Sequence, residues 1–66
     1  MEIMINGEQR TLAAEQTLEA LLLDLKIDPK KVAVERNLEI VPRSTYGSTA
    51  LTEGDRIEIV HFIGGG

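Results

Sequence analysis

Hydrophobic and polar residues alternate along the start of the chain, and this period of two predicts a β-strand. The apolar odd positions from Met1 to Ile5 share one face, while Met4 lies on the other. Asn6 and Gly7 follow, and this pair predicts a tight hairpin turn because both residues tolerate positive φ angles. We expect a second strand over Glu8–Leu12, paired with the first.

A leucine stripe with helical spacing follows the hairpin. Thr17 precedes it as a good N-cap, because its hydroxyl can accept from a free backbone N–H of the first turn. Lys26 would close the last turn, and Pro29 would end the helix because proline disfavours helical backbone at the residue before it. The stripe consists of Leu18, Leu21, Leu22 and Leu25.

The second half of the chain predicts three further strands, over Val32–Arg36, Glu39–Val41 and Arg56–Phe62. Asn37-Leu38 is a plausible tight turn between the first two, and the polar segment 43–49 reads as a loop. One helix among several strands indicates an α+β architecture, a mixed four- to five-stranded sheet with the helix on one face.

Length and charge narrow the possible functions. With 66 residues, one domain is expected, and the formal net charge is −4. This charge argues against a nucleic-acid binder and favours a partner with a basic docking surface. The chain has no secretory segment and no apolar run long enough to cross a bilayer, so we expect a cytoplasmic protein.

Ordinary enzyme chemistry is poorly supported by the side chains. The chain has no Cys and a single His, His61, so a cysteine nucleophile is excluded and a metal site is not expected. No phosphate-binding glycine loop precedes a helix. We therefore predict a protein that is not itself an enzyme.

The sequence ends on three glycines, Gly64, Gly65 and Gly66, which we expect to form a flexible tail after a folded domain of residues 1–63. Backbone without Cβ atoms can pass through a channel too narrow for other residues. The end carboxylate could be activated as an acyl-adenylate and then loaded by a partner. The alternative is an inert, frayed end.

A second clue is the outer face of the last predicted strand. Val60 and Phe62 alternate with its inward residues, and Met4 occupies the corresponding face of the first strand. If the two strands are neighbours, these three side chains would form an apolar docking patch leading to the tail. Scattered surface hydrophobic residues are the alternative interpretation.

The chain resembles the sulfur carrier proteins of thiamine biosynthesis, the ThiS family, within the ubiquitin-like β-grasp fold. The resemblance covers essentially the whole chain, and at Leu38 the chain departs from the glycine that the family often has there. Its most specific parts are Asn6-Gly7-Glu8, Val32-Ala33-Val34-Glu35-Arg36-Asn37, Ile40-Val41-Pro42-Arg43-Ser44, Leu51-Thr52-Glu53-Gly54-Asp55-Arg56-Ile57-Glu58 and Ile63-Gly64-Gly65-Gly66.

This resemblance implies a carrier that binds no cofactor of its own. A ubiquitin-activating-type adenylyltransferase would use ATP and Mg to adenylate Gly66, and a sulfur donor such as a cysteine desulfurase would supply the sulfur of a thiocarboxylate. Thiazole synthase would then take up that sulfur. Gly64 and Gly65 would thread the partners' active sites, while Met4, Val60, Phe62 and Ile63 would help to dock the partners.

Three other readings remain open at this point. A molybdopterin synthase small subunit uses the same tail chemistry, although Val41-Pro42-Arg43-Ser44 favours the thiamine carrier. A tRNA-thiolation carrier or a lysine-conjugating modifier would also end in glycine. A non-catalytic ubiquitin-like interaction domain would carry an inert tail.

Overall fold

The computed structural model describes residues 1–62, which form five strands, one α-helix and two short 3₁₀ helices. The 3₁₀ helices span Pro29–Lys31 and Arg43–Ser48. In chain order, the other elements are β1 (Glu2–Ile5), β2 (Glu8–Thr11), α1 (Leu18–Asp24), β3 (Val32–Arg36), β4 (Glu39–Val41) and β5 (Arg56–His61). No helix within this part of the chain has the length and apolar character needed to span a membrane.

The five strands form one mixed sheet in the order β2-β1-β5-β3-β4. The last strand, β5, lies at the centre, parallel to β1 and antiparallel to β3. The hairpins β1–β2 and β3–β4 flank it on either side. This arrangement confirms the predicted α+β architecture and mixed sheet, with five strands at the upper end of the expected four to five; the strand order itself was not predicted.

The core lies between α1 and one face of the sheet, here called the inner face. All three inward leucines of α1 are fully buried, and alternate residues of β1, β3 and β5 meet them. The helix begins as predicted, since the Thr17 hydroxyl accepts from the Ala20 N–H at 3.2 Å. The buried hydrophobic residues are Ile3, Ile5, Leu18, Leu21, Leu22, Val32, Val34, Tyr46, Leu51, Ile57 and Ile59.

The end of the helix differs from the prediction that Lys26 closes the last turn. The helix stops at Asp24, and Lys26 has a φ of 61°. Its N–H donates to the Leu23 carbonyl, and the Ile27 N–H donates to the Leu22 carbonyl, which is the Schellman pattern of a left-handed helix terminus. This position is usually glycine, so a lysine there concealed the stop signal.

Three other boundaries also differ. The predicted loop 43–49 contains a 3₁₀ helix, whose Tyr46 is buried and donates its hydroxyl to the Val32 carbonyl at 3.1 Å. Strand β2 ends at Thr11, although the Leu12 N–H still donates to the Met1 carbonyl. Strand β5 ends at His61, one residue before the predicted limit.

Candidate functional site

The centre of the sheet leads directly into the glycine sequence. His61 pairs with Val32 across β5 and β3, and the Phe62 N–H donates to the Lys31 carbonyl at 3.0 Å. Phe62 is the last described residue. The predicted roles of Ile63, Gly64, Gly65 and Gly66 fall outside the described residues and stay predictions.

The side chain of Asn6 holds β5 beyond the point where β1 ends. Its carbonyl oxygen accepts from the Ile59 N–H at 2.7 Å, and its amide donates to the Ile59 carbonyl at 3.2 Å. Asn6 thus completes the ladder on one side of β5 while also forming the hairpin turn, where its φ is 48°. From the sequence, only the turn was predicted.

Phe62 lies at the end of the folded body with a cation above its ring. The Arg43 guanidinium carbon is 5.6 Å from the ring centroid, a distance at which a cation and an aromatic face attract each other. The ring nevertheless remains 47% exposed. It therefore lies at the surface next to the start of the glycine sequence, as predicted, while its docking role stays a prediction.

Val60 belongs to an apolar area on the outer face of the sheet, the face away from α1. It is 62% exposed and lies directly opposite Ala33 of β3. Ile40 of β4, which is 78% exposed, lines the same shallow depression of about 190 Å³. Exposed apolar side chains grouped in this way are typical of a partner surface.

Met4 is not next to this area, which corrects the expected continuous patch of Met4, Val60 and Phe62. The predicted neighbourhood of β1 and β5 is confirmed, but the register places Met4 beside Arg56. Val60 is four positions further along β5, or about 13 Å at the usual rise of a strand. Met4 is also half-buried.

The sequence analysis missed Ile40 and Ala33 as members of the exposed apolar area. Both were placed in strands, but the three-residue strand that contains Ile40 carries too little alternation to show which face is buried. Their neighbourhood with Val60 depends on the strand order, which brings β4, β3 and β5 together. For Ala33, the available signal was its alternation with Val32 and Val34, which were predicted to share one face; Ile40 gave no such signal.

A buried carboxylate anchors the opposite end of β5. Asp55 is only 4% exposed and accepts hydrogen bonds from Arg36, Asn37 and Thr52 at 2.8–3.1 Å. Burial alone would raise the pKa of Asp55, but the Thr52 backbone N–H and the side chains of Asn37, Thr52 and Arg36 together lower it below its usual value. This network ties the β3–β4 turn to the start of β5, away from the glycine end.

Chemically, residues 1–62 offer an exposed face and a fixed exit for the chain. Nowhere among them do three potential metal-ligating side chains come together. The one ion pair within this part of the protein joins Arg36 to Asp55, in the anchor of β5. The candidate features of residues 1–62 are therefore the exposed outer face of the sheet and the end of the described chain at Phe62.

Comparison with known proteins supports this description. The chain is 59% identical over all 66 residues to a thiazole synthase of Paramagnetospirillum magneticum, but it spans only 20% of that protein's length. It is 46% identical over 50 residues, 76% of each chain, to the sulfur carrier protein ThiS of Bacillus subtilis. The crystal structure of the thiamine biosynthesis protein ThiS from Geobacter metallireducens matches with a TM-score of 0.86 and 32% identity, covering 100% of both chains.

The family model of ThiS matches residues 3–66, nearly the whole sequence and including the glycines. The Bacillus subtilis relative, which is of similar length, is named a sulfur carrier protein and not an enzyme, which agrees with the prediction that this domain is a carrier and not a catalyst. With its fold, its relatives and its family model in agreement, the chain belongs to the ThiS family.

Proposed function

We propose that this domain carries sulfur for thiazole synthesis in thiamine biosynthesis, as a thiocarboxylate on Gly66. The observation that carries the proposal is the match of the ThiS family across residues 3–66, combined with the fixed exit of the chain at Phe62. Three glycines, if fully extended, would reach at most about 10 Å beyond Ile63. This reach is enough to enter a partner's active site while the folded body stays outside.

The chemistry requires activation, because an ionised carboxylate resists attack by a nucleophile. A partner adenylyltransferase would join the Gly66 carboxylate to AMP, releasing pyrophosphate from ATP. A persulfide sulfur then attacks the carbonyl carbon, forming a C–S bond as the C–O bond to AMP breaks. A thiol reductant finally cleaves the S–S bond, and the thiocarboxylate remains on Gly66.

Three partners follow from this scheme: a ubiquitin-activating-type adenylyltransferase, a sulfur donor such as a cysteine desulfurase, and a thiazole synthase. The thiazole synthase is supported by relatives of that name that contain a region matching the whole chain. These names favour the thiamine pathway over molybdopterin synthesis. A growth test for a thiamine or a molybdopterin requirement after deletion separates the two pathways.

Mass spectrometry tests the proposal most directly. The 66-residue chain is incubated with the adenylyltransferase, ATP, Mg and the sulfur donor, beside a matched chain whose Gly66 carboxylate is replaced by a carboxamide. We expect one oxygen-to-sulfur exchange on Gly66 of the first chain and no change in the second. An unchanged wild-type mass with partners of proven activity, or sulfur on another residue, would contradict the proposal.

A further inference from the structure

We propose that the outer face of the sheet between β4 and β5 docks a basic and apolar surface of thiazole synthase. This inference rests on the proposed function. We call this surface the acidic-apolar face. Two facing glutamates lie among exposed apolar side chains on this face. The residues of the acidic-apolar face are Ala33, Glu35, Ile40, Glu58 and Val60.

The apolar part of the face is continuous across three strands. Ile40 lies opposite Glu35, and Val60 lies opposite Ala33, in the adjacent row of the same face. All of them line one depression, which has the size of a single side chain rather than of a small-molecule site. A side chain of a protein partner is therefore the fitting occupant.

The acidic part carries an unfavourable pairing in the free domain. Glu35 and Glu58 stand directly opposite each other in β3 and β5, and both are exposed. Like charges in directly opposite positions destabilise a sheet. Within residues 1–62 neither forms an ion pair, and Arg56, two positions before Glu58, is not within ion-pair distance of it.

An arginine or lysine of the partner would resolve this arrangement. Its charged end would lie between the two carboxylates, and its methylene groups would pack along Ile40 and Val60. The same docking would place the end of β5, and hence residue 63 onward, against the partner. A net charge of −4 on the domain would speed the encounter with such a basic surface.

Thiazole synthase is the partner to which the observations point. Two thiazole synthases carry a region matching this entire chain, at 59% and 56% identity. In those proteins the matching region and the rest of the enzyme belong to one polypeptide. A face of that region can therefore pack against the same enzyme at all times. The exposed face of residues 1–62 is then a surface that such an enzyme would cover.

The test measures sulfur transfer to thiazole synthase with a domain that needs no activating enzyme. The Gly66 thiocarboxylate is prepared by thiolysis of an intein fusion, and its mass confirms loading. The variant Glu35→Gln/Glu58→Gln is compared with wild type and with Glu8→Gln/Glu15→Gln, which removes the same charge from exposed sites in β2 and the loop after it. KM and kcat are measured at low and high salt.

We expect the KM of the face variant to rise about tenfold, with kcat unchanged at saturation, because a charge pair with the enzyme is lost. Its KM should also depend less on salt than the wild-type value. The control variant should stay within about twofold of wild type. Thermal unfolding adds a second readout, since removing the facing charges should raise the Tm of the free face variant by about 1–4 °C.

Three results would overturn the proposal. One is an equal KM change in both variants, and another is no change in either. The third is a fall in the kcat of the face variant at unchanged KM, which would place the two glutamates in the transfer step and not in docking. If wild-type thiocarboxylate transfers no sulfur, the proposed function itself fails, whereas normal wild-type transfer with an unaffected face variant rejects the docking alone.

Discussion

At the scale of single residues, the turn between β3 and β4 lowers the stability of the folded domain. Asn37 and Leu38 have φ angles of 52° and 70°, so both occupy the left-handed region. Asparagine tolerates this region, but for leucine it is unfavourable by about 1–2 kcal/mol because the leucine Cβ approaches the following carbonyl. Leu38 is also 70% exposed, so little packing offsets the cost.

Replacing Leu38 by glycine should therefore stabilise the domain. We expect a gain of about 0.5–1 kcal/mol, since relief of the strain exceeds the larger chain entropy that glycine gives to the unfolded state. Urea unfolding of Leu38→Gly measures it, with Leu38→Ala as the matched control that keeps the Cβ. Equal stability of the two variants would show that the backbone conformation is not the cause.

At the scale of elements, the Asp55 network decides how the β3–β4 hairpin is joined to β5. Its carboxylate accepts from Arg36, the last residue of β3, and from Asn37, the first residue of the hairpin turn. It also accepts from the backbone and hydroxyl of Thr52. Burial opposes ionisation of this carboxylate, but the hydrogen bonds from these donors outweigh it and favour the ionised form in the folded state.

This network predicts that part of the free energy of unfolding is lost at acid pH. The folded pKa of Asp55 is lowered, so in the acid range the unfolded chain binds more protons and stability rises with pH. The contribution is present above the unfolded pKa, about 3.9, and is lost as the pH falls through the lower folded value. Urea midpoints from pH 2.5 to 7 should show this loss in wild type.

The matched variants are Asp55→Asn and Asp24→Asn. The first should lose about 2–4 kcal/mol at pH 7 and show a flatter acid limb, because the amide cannot accept from all four donors. The second changes an exposed carboxylate and should retain the wild-type slope. An acid limb in Asp55→Asn as steep as in wild type would assign the effect to other carboxylates.

Local signals explain which elements could be predicted from the sequence. The Asn6-Gly7 turn, the Thr17 cap and the leucine stripe depend on neighbouring residues alone, and the structure confirms each. The prediction that Lys26 lies in the last helical turn was wrong. Lys26 has a left-handed backbone conformation, in which the Lys26 and Ile27 N–H groups donate to the Leu23 and Leu22 carbonyls, and lysine is not a residue type that predicts this conformation. The hydrogen bonds from Arg36 and Asn37 to Asp55 likewise join residues that are distant in sequence.

At the scale of the whole molecule, register was the information that the sequence lacked. Alternation identified Met4 and Val60 as outward residues, yet only the pairing of Met4 with Arg56 shows how far apart they are. The same register places Ile40 opposite Glu35, and Ala33 opposite Val60 in the adjacent row of that face. Thus the exposed residues of the candidate site could be identified individually, while their grouping required the sheet.

The fold fixes the position of Phe62, so the number of residues after it can be tested as a determinant of sulfur transfer. Phe62 is hydrogen-bonded to the sheet, so the distance from the docked face to Gly66 is limited by four residues. Deleting Gly64 shortens the reach by about 3.3–3.6 Å. If sulfur transfer requires the thiocarboxylate at a fixed place in thiazole synthase, kcat should fall by about 100-fold or more while KM changes little.

A chain with one added glycine is the matched control for this deletion. It preserves the reach at a small cost in chain entropy, so its kcat should fall by less than about tenfold. Single-turnover sulfur transfer from preloaded domains measures both variants without the activating step. Equal losses in the shorter and longer chains would contradict the role of reach, and wild-type activity in both chains would contradict a fixed distance between the folded body and the reacting carbonyl.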